Sequence, residues 1–380
     1  MTKILIPCET SLGERRVSAT PETLKKLNSL GCEIYIEKSA GELSGFNDFS
    51  YKECGGILFD KGDQNIWKEA DIVFCVQCPE ERNLNLIKPG SFLVGMLNPY
   101  GNSVLYNYLL KSKVSAIALE LIPRISRAQS CDALSSQANI AGYKSVLLAA
   151  NELDRYFPML MTAAGTVQPA KVIVLGGGVA GLQAVATAKR LGALVFVSDI
   201  RPAVKEQVES LGAKFIELPE INEKPSESGG YAKQVSSEFL EEQRNILTKH
   251  LSEADVAICT AQVLGKKAPI LIKDEMLDKM RPGSVVIDLA VSQGGNCQNT
   301  KPNETIMRNG VKLIGASELP SSVPFHASSL YSKNLVSLIT PFVNKGIMEI
   351  KKDDEIISGC LLSDNGAILQ EKVFVNGGTN

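Results

Sequence analysis

Histidines are almost absent from this sequence, and so are the residue clusters on which metal sites and nucleophilic triads depend. The 380 residues include two histidines, His250 and His326, so a metal centre or a Ser/His/Asp triad would have to be built from these two. The Cys75-x-x-Cys78 pair has no second Cys or His pair close by in sequence, and a structural zinc ion needs four ligands. We therefore expect no metal site and no triad of this kind.

Long apolar runs and a surplus of basic residues are missing as well. No run of about 18 apolar residues occurs, so we expect no transmembrane helix, and the N-terminus predicts a first strand rather than a secretory signal. Lys and Arg total 40 against 42 Asp and Glu, so nucleic acid is not expected as a partner. The nine scattered cysteines are an odd number, which favours reduced thiols in a cytosol-like compartment.

What the sequence does contain is an alternation of short apolar runs with amphipathic segments along most of its length. Such alternation predicts an α/β fold with mostly parallel sheets that helices cover on both faces. Three short sequences also recur in the same order: Leu30-Gly31 at Leu211-Gly212, Ala70-Asp71 at Ala254-Asp255, and Pro89-Gly90-Ser91 at Pro282-Gly283-Ser284. The recurrence predicts two Rossmann-like, doubly wound parallel-sheet domains with a cofactor cleft between them, although such punctuation can also recur by chance in any α/β protein.

Two long helices are expected to join these domains. One is predicted at 134–156 from the spacing of its apolar residues, and the other at 328–345, where Pro341 interrupts it. If both helices join the domains, the C-terminal segment returns to the first domain. The domains would then be residues 1–133 with 328–380, and residues 134–327.

Segment 219–243 of the second domain is polar and acidic, and it contains Pro225, Gly229 and Gly230. One interpretation is a solvated surface insertion. The other is a mobile loop that closes on the cofactor, with Tyr231 as its contact residue.

The most specific motif runs from a predicted strand at 171–175 into Gly176-Gly177-Gly178-Val179-Ala180-Gly181, and a predicted helix follows. In a GxGxxG turn the first glycine permits the tight turn, the second lets a pyrophosphate approach the backbone, and the third lets helix and strand pack closely. The N-terminus of the following helix then attracts the pyrophosphate. Since a second predicted strand ends at Asp199, 18 residues after Gly181, the whole arrangement predicts a dinucleotide site.

The acid at the end of the second strand bears on which dinucleotide binds. A carboxylate at Asp199 accepts hydrogen bonds from a free ribose diol and repels a 2′-phosphate, so NAD(H) is favoured over NADP(H). Arg201, two residues later, is the opposing signal, because an arginine there could bind a 2′-phosphate.

A polar cluster at 123–137 precedes the first long helix and follows a predicted strand. Its Arg, Gln, Asp and Ser side chains suit recognition of a carboxamide and a ribose, and ends of parallel strands at a domain junction are common ligand sites. The alternative is structural, with an Arg/Asp pair and a Ser or Asp cap at the start of the helix.

Together these segments resemble the NAD(H)-binding component, domain I, of proton-translocating NAD(P) transhydrogenase. The resemblance covers about residues 1–372 and rests on several motifs in order. Alanine dehydrogenase is the sister family, and it shares Glu14-Arg15-Arg16-Val17 followed by Thr20-Pro21. The motifs that carry the resemblance are Pro123–Ser130 with Asp132, Gly176–Ala184, Gly229-Gly230-Tyr231-Ala232-Lys233, and Ile287–Val291 with Gly294-Gly295-Asn296-Cys297.

By matched position, the resemblance implies roles for individual residues. Arg124 would bond the nicotinamide carboxamide, Asp132 would orient Arg124, and Ser135 would assist the carboxamide. Gln129 would reach towards NADP(H) on a partner. The remaining residues implied to bind NAD(H) are Ile125, Ser126, Ser130 and Cys131 in the same loop, Gly176, Gly178, Val179 and Gly181 at the pyrophosphate, Asp199, Ile200 and Arg201 at the adenosine ribose, Gly230, Tyr231 and Gln243 in the closing loop, and Gln262 at a strand end where an apolar residue is expected.

The two families differ in the chemistry that they require. Reduction of an imino or oxo acid needs a carboxylate-binding cation and an acid/base group, whereas transfer of hydride between two nicotinamides needs only their juxtaposition. The resemblance implies that alanine dehydrogenase has ionisable substrate residues where this chain has Gln77, Asn98 and Ser292. Only Arg16 remains of that pocket, so the sequence favours the transhydrogenase.

The resemblance therefore implies a homodimeric alpha subunit that binds NAD(H) and passes hydride to or from NADP(H) held by a partner subunit. A membrane-spanning subunit would translocate protons, and the chain would lie on the cytoplasmic face of the inner or an equivalent membrane. The alternatives are a stand-alone NAD-dependent alanine dehydrogenase-like enzyme, or a regulator that binds NAD without catalysis.

Overall fold

The computed structural model describes residues 1–218 and 237–375. Contacts divide the chain into two compact units. Unit 1 comprises Met1–Ala138 and the chain from Pro320 onward, and unit 2 comprises Asn139–Leu319. Strands and helices are numbered below in chain order.

Within the described residues, unit 1 contains an eight-stranded sheet in which six strands are parallel and two antiparallel strands extend one edge. The strands follow the order β19-β18-β6-β5-β4-β1-β2-β3. Their bounds are β1 (Lys3–Ile6), β2 (Glu33–Glu37), β3 (Ile57–Phe59), β4 (Ile72–Gln77), β5 (Phe92–Met96), β6 (Ser115–Ala118), β18 (Leu361–Asp364) and β19 (Ala367–Ile368).

Helices cover both faces of this sheet, since separate apolar clusters lie on its two sides. Thr20 caps α1 and Pro21 follows at its first position, as the sequence predicts. A short hairpin of β16 (Val343–Asn344) and β17 (Ile347–Met348) completes the unit. The helices are α1 (Pro21–Ser29), α2 (Asp48–Glu53), α3 (Gln64–Glu69), α4 (Glu81–Leu84), α5 (Ser103–Ser112), α11 (Pro324–Ile339), α12 (Glu355–Cys360) and α13 (Glu371–Val375).

Unit 2 contains a seven-stranded sheet in its described residues, with the order β11-β10-β9-β12-β13-β15-β14 and only β14 antiparallel. A separate hairpin is formed by β7 (Leu160–Thr162) and β8 (Gly165–Val167). The sheet strands are β9 (Lys171–Leu175), β10 (Leu194–Ser198), β11 (Lys214–Phe215), β12 (Val256–Cys259), β13 (Val285–Asp288), β14 (Thr305–Arg308) and β15 (Val311–Gly315), and the helices are α7 (Val179–Arg190), α8 (Val204–Ser210), α9 (Ser237–Glu253) and α10 (Asp274–Leu277).

The recurring short sequences mark equivalent contacts in the two units. The Asp71 carboxylate accepts the backbone N–H of Lys3 at 2.8 Å, and the Asp255 carboxylate accepts that of Lys171 at 2.9 Å. Lys3 begins β1 and Lys171 begins β9, the strand at the equivalent place in each sheet. Ser91 and Ser284 likewise donate to the carbonyls of Ala70 and Ala254. The predicted fold class, two doubly wound sheets of related design, is confirmed.

The two long helices differ from expectation in their relation to the units. The boundary at residue 138 falls within α6 (Ala133–Glu152), but α11 lies entirely in unit 1. Pro341 does end the second helix, because α11 stops at Ile339 and a 3₁₀ turn follows. Across the described ranges, no helix has the length and apolar character needed to cross a bilayer.

Candidate functional site

The glycine-rich turn lies between β9 and α7, where the motif places it. Gly176 has a φ of +101°, a conformation that side chains other than glycine rarely adopt. A Cβ on Gly181 would meet the carbonyl oxygen of Gly176 at 1.9 Å, so the third glycine is required by close approach of the helix to the turn. Thr260, which no motif signals, closes the turn from the end of β12 by donating to the Gly176 carbonyl at 2.9 Å.

The second glycine of the motif faces open space. No heavy atom lies within 4 Å of a Cβ built on Gly178, and its φ of −77° imposes no strain. Gly178 is the N-cap of α7 and provides no side-chain cap for the first helical N–H groups. These groups are therefore available to an anion at the positive end of the helix. Val179, the first residue of α7, is exposed beside them.

Asp199 follows β10 and is held by four hydrogen bonds. One carboxylate oxygen accepts the Gly177 N–H at 2.7 Å and an Arg201 Nη2–H at 2.7 Å. The other accepts the Arg201 backbone N–H at 2.8 Å and its Nε–H at 2.9 Å. Burial alone would raise the pKa of Asp199, but the bonds from Arg201 and Gly177 outweigh it and the pKa lies below its ordinary value.

The Asp199 arrangement joins the two opposing sequence signals in one ion pair. Arg201 does not point away to await a 2′-phosphate, because its guanidinium forks onto the acid that favours a free diol. Ile200 is exposed between them. The turn, the uncapped helix and the acid fit a dinucleotide with its pyrophosphate at α7 and its adenosine ribose near Asp199.

In unit 1, the polar cluster forms a 3₁₀ turn at Ser126–Cys131, which we call the reader loop. Ala128 and Cys131 are buried in the apolar core and anchor the loop. The side chains of Arg124, Ser126, Gln129 and Ser130 are exposed, and Ile125 is half-buried. Among the described residues, the side chains of Arg124 and Gln129 have no hydrogen-bond or ion-pair partner. The loop therefore presents a cation and a carboxamide on a fixed backbone.

Asp132 does not orient Arg124 in this structure, contrary to the expected role. Its carboxylate accepts the backbone N–H of Ser135 at 2.8 Å and the Ser135 hydroxyl at 2.5 Å. Both bonds lie in the first turn of α6, so Asp132 serves as a helix cap, which was the structural alternative for this cluster. The Ser135 hydroxyl is engaged in the same contact.

Three further expected residues lie in unit 2. Gln262 follows β12, and its amide donates to the Leu289 carbonyl at 2.7 Å, so its carboxamide N–H is already used within the protein. Gln243 is buried on α9, which begins at Ser237, so the last part of segment 219–243 is helical and not loop. Gly230 and Tyr231 lie outside the described residues.

A buried ion pair occupies the position that the sister family's substrate residue shares with this chain. Arg16 donates from Nε and Nη2 to the Glu14 carboxylate at 2.8 and 2.6 Å, and from Nη1 to Gln137 at 2.9 Å. Gln77 donates to the same carboxylate at 3.2 Å. Burial would raise the pKa of Glu14, but its bonds to Arg16 outweigh burial and lower it. The guanidinium is thus neutralised inside the protein.

Metal chemistry receives no support from the described part of the chain, where no group of three or more His, Cys, Asp or Glu side chains could hold an ion. All nine cysteines are free thiols. Burial raises the pKa of Cys78 to about 12 and places that of Cys75 well above its ordinary value.

Comparison with known proteins gives the chain a family. The model of the alanine dehydrogenase/PNT N-terminal domain matches residues 5–141, and that of the C-terminal domain matches residues 145–371. The chain belongs to the alanine dehydrogenase/PNT family. Among the family's proteins, it is 47% identical over 375 residues to an NAD(P) transhydrogenase subunit alpha of Rhodospirillum rubrum, a match that covers 97% of both chains.

Solved structures of the alanine dehydrogenase/PNT family share the architecture. The crystal structure of transhydrogenase from Sinorhizobium meliloti superposes with a TM-score of 0.87 at 39% identity and covers 96% of this chain and 99% of that one. An L-alanine dehydrogenase structure gives a TM-score of 0.82 at 25% identity, with 99% and 100% covered. The predicted resemblance to transhydrogenase alpha subunits, with alanine dehydrogenase as a more distant relative, is confirmed.

Proposed function

We propose that this chain is the NAD(H)-binding alpha subunit of a proton-translocating NAD(P) transhydrogenase. The carrying observation is the neutralised Arg16: the cation that this chain shares with the amino-acid dehydrogenases is bonded to Glu14 and Gln137. A substrate carboxylate would have to displace a buried carboxylate from it. Because exchange of hydride between two nucleotides requires no such cation and no acid or base, the site suits the transhydrogenase reaction.

Within unit 2, the turn at Gly176, Gly178 and Gly181 holds the pyrophosphate of NAD(H), and Asp199 selects its adenosine ribose. Within unit 1, the reader loop contacts the nicotinamide end. Bound NAD(H) supplies or accepts the hydride; the protein's role is to bind, to orient and to exclude water. Arg124 fixes the carboxamide by a charge-assisted hydrogen bond, and Gln129 extends towards the nucleotide on the partner.

The rest of the assembly follows from this role. The chain acts as a homodimer, docked onto an NADP(H)-binding subunit and a membrane-spanning subunit that translocates protons. It lies at the cytoplasmic face of that membrane. Proton coupling then arises from conformational change in the partners, which share a binding equilibrium with this chain.

The test is single-turnover reduction of an NADP⁺ analogue by NADH after the chain is mixed with an NADP(H)-binding transhydrogenase subunit. Rapid reduction in the mixture, and none with either protein alone, is expected. Arg124→Ala should weaken NADH binding by on the order of 1.5–3 kcal/mol. Gln129→Asn should leave NADH affinity nearly intact yet slow transfer about a hundredfold, since roughly 1 Å of misplacement has that effect.

No reduction in the wild-type mixture, with NADH binding intact, would refute the proposed function. If Gln129→Asn loses affinity and rate equally, the function stands but the division of roles between Arg124 and Gln129 is wrong. Arg15→Ala is a matched control for Arg124→Ala, since it also removes an arginine from unit 1 but lies outside the reader loop.

A further inference from the structure

The reader loop is held from below by residues that belong to neither nucleotide site. The side chains of Arg124 and Gln129 have no partners among the described residues, so their placement depends on the backbone that carries them. Contacts within unit 1 fix that backbone, and two of them use polar side chains from distant segments: Asn334 on α11 and Asp354 at the start of α12.

Asn334 connects the end of the reader loop to the start of α6. Its amide donates to the Ser130 carbonyl at 2.8 Å, and its carbonyl oxygen accepts the Ser136 hydroxyl at 2.7 Å. The side chain is buried on a helix otherwise rich in buried apolar residues. Both ends of the carboxamide are thus satisfied, and both by groups at the two ends of one short stretch, 130–136.

Asp354 holds the other half of the loop. Its two oxygens accept Nη1–H and Nη2–H of Arg127 at 2.8 and 3.0 Å, and one of them also caps α12 through the N–H of Ile356. The Arg127 fork lowers the pKa of Asp354 below its ordinary value. The start of the loop packs on the same helix, because a Cβ added to Gly359 would lie 3.1 Å from the Pro123 ring.

A purely structural need would not require this chemistry at Asn334. Replacing a buried hydrogen-bonded pair by apolar groups of similar shape is close to neutral for stability, whereas removing one partner leaves a group unsatisfied. What the carboxamide adds is direction: it fixes the Ser130 carbonyl, and with it the backbone on either side of Gln129 and Cys131. Small displacements there move the reacting groups, and such displacements are costly in rate.

We infer that Asn334 is a positioning residue for the nicotinamide end of the site, assisted by Asp354, and that it acts only through the backbone of the reader loop. The inference rests on the proposed function. It assigns to unit 1 a second set of residues that set geometry and touch neither nucleotide.

Asn334→Asp is the informative variant, because an aspartate still accepts from Ser136 but presents an oxygen to the Ser130 carbonyl in place of a donor. Affinities for NADH and for ADP-ribose, which lacks nicotinamide, are measured by calorimetry on the full chain. We expect NADH affinity to fall about tenfold, and ADP-ribose affinity to change less than about twofold. Single-turnover transfer with the partner subunit should slow by about tenfold or more.

Ser332→Ala is the matched control, since it removes a buried hydroxyl from the same helix that bonds Ser329 and not the loop. It should leave both affinities and the rate unchanged. Asn334→Ala is the second variant, in case Asn334→Asp fails to fold, and it should shift the ratio of NADH to ADP-ribose affinity in the same direction. Asp354→Asn should do so more weakly and lose its effect in high salt.

Equal loss of NADH and ADP-ribose affinity would overturn the inference, because it would show a general structural defect. So would unchanged affinity and rate in folded Asn334 variants. Failure of the proposed function has a different signature: the wild-type chain itself would not transfer hydride with the partner.

Discussion

Asp199 and Arg201 show how two neighbouring side chains share one recognition task. A carboxylate offers about four lone-pair positions, and here Arg201 and Gly177 occupy four. A ribose diol that bonds to Asp199 must therefore replace the Arg201 side chain. The released guanidinium would then lie close to the 2′ position, where it offsets part of the repulsion of a 2′-phosphate.

The first prediction concerns this pair. The wild-type chain should bind NADH more tightly than NADPH, and Asp199→Ala should narrow the difference by on the order of 1.5–3 kcal/mol. Arg201→Ala should widen it, because it frees the carboxylate for the diol and removes the charge that tolerates phosphate. Calorimetric titration of each variant with both nucleotides measures this, and a narrower difference in Arg201→Ala would contradict it.

Glu120 gives a prediction about pH. The carboxyl is buried and accepts the N–H groups of Leu97 and Asn98 at 3.2 and 2.6 Å. Burial raises its pKa to about 7, although the backbone bonds oppose this. A carboxyl with a raised pKa in the folded state contributes stability below its unfolded pKa and loses it as pH rises to the folded pKa. Its contribution therefore declines between about pH 4.3 and pH 7.

Glu120→Gln keeps the shape and removes the titration. Relative to wild type, its free energy of unfolding should improve steadily from pH 5 to pH 7 and then level off. Urea denaturation at several pH values provides the measurement. Glu53→Gln, an exposed site on α2, serves as the control and should run parallel to wild type at every pH.

The limits of sequence-based prediction at this scale are clear from Asp132 and Asn334. The glycine motif was predictable because its spacing is local and each glycine has its own steric reason. The choice of Asp132 between Arg124 and Ser135 depends on three-dimensional geometry, and the nearer helix N–H prevails. Asn334 lies 204 residues from Ser130, and a lone amide in an apolar helix resembles no motif.

At the scale of elements, the β9–turn–α7 segment separates stability from binding. Gly181→Ala should destabilise unit 2 by about 1–3 kcal/mol or more, because its Cβ collides with backbone and not with a flexible side chain. Gly178→Ala should fold normally, since its Cβ meets open space, but that space is where the pyrophosphate of NADH is expected.

Paired measurements of melting temperature and NADH affinity for the two variants decide this third prediction. Gly178→Ala should keep its melting temperature and lose NADH affinity at least about tenfold. A Gly178→Ala variant that binds NADH normally would show that the pyrophosphate lies elsewhere. Gly62→Ala, at a turn with a φ of +86° and open space, controls for loss of a glycine away from the site.

Segment prediction succeeded where apolar runs were bounded by glycine or proline, as at β9 and at the end of α11. It failed at 237–243, where a polar, acidic sequence is helical in α9. Composition alone did not separate loop from helix there, because the apolar positions that pack this helix, such as Leu247 and Leu251, lie further along the chain.

At the scale of the whole molecule, the neutralised Arg16 predicts a missing activity. The chain alone should not reduce pyruvate with ammonia and NADH, since Gln77 and Asn98 supply no ionisable group and Arg16 is bonded to Glu14. An absorbance assay with an alanine dehydrogenase as positive control checks this. Robust turnover would overturn the assignment and favour the amino-acid dehydrogenase instead.

Unit 1 is built from both ends of the chain, and this has a consequence for biosynthesis. β18 pairs with β6 across a gap of roughly 240 residues, so at about 5–20 residues per second the edge of β6 waits about 10–50 s for its partner on the ribosome. Unit 2 is continuous and can fold during that interval. An unpaired strand edge recruits other chains, so chaperone dependence during translation should concentrate in the first 138 residues, as pulse-labelled proteolysis of stalled nascent chains would reveal.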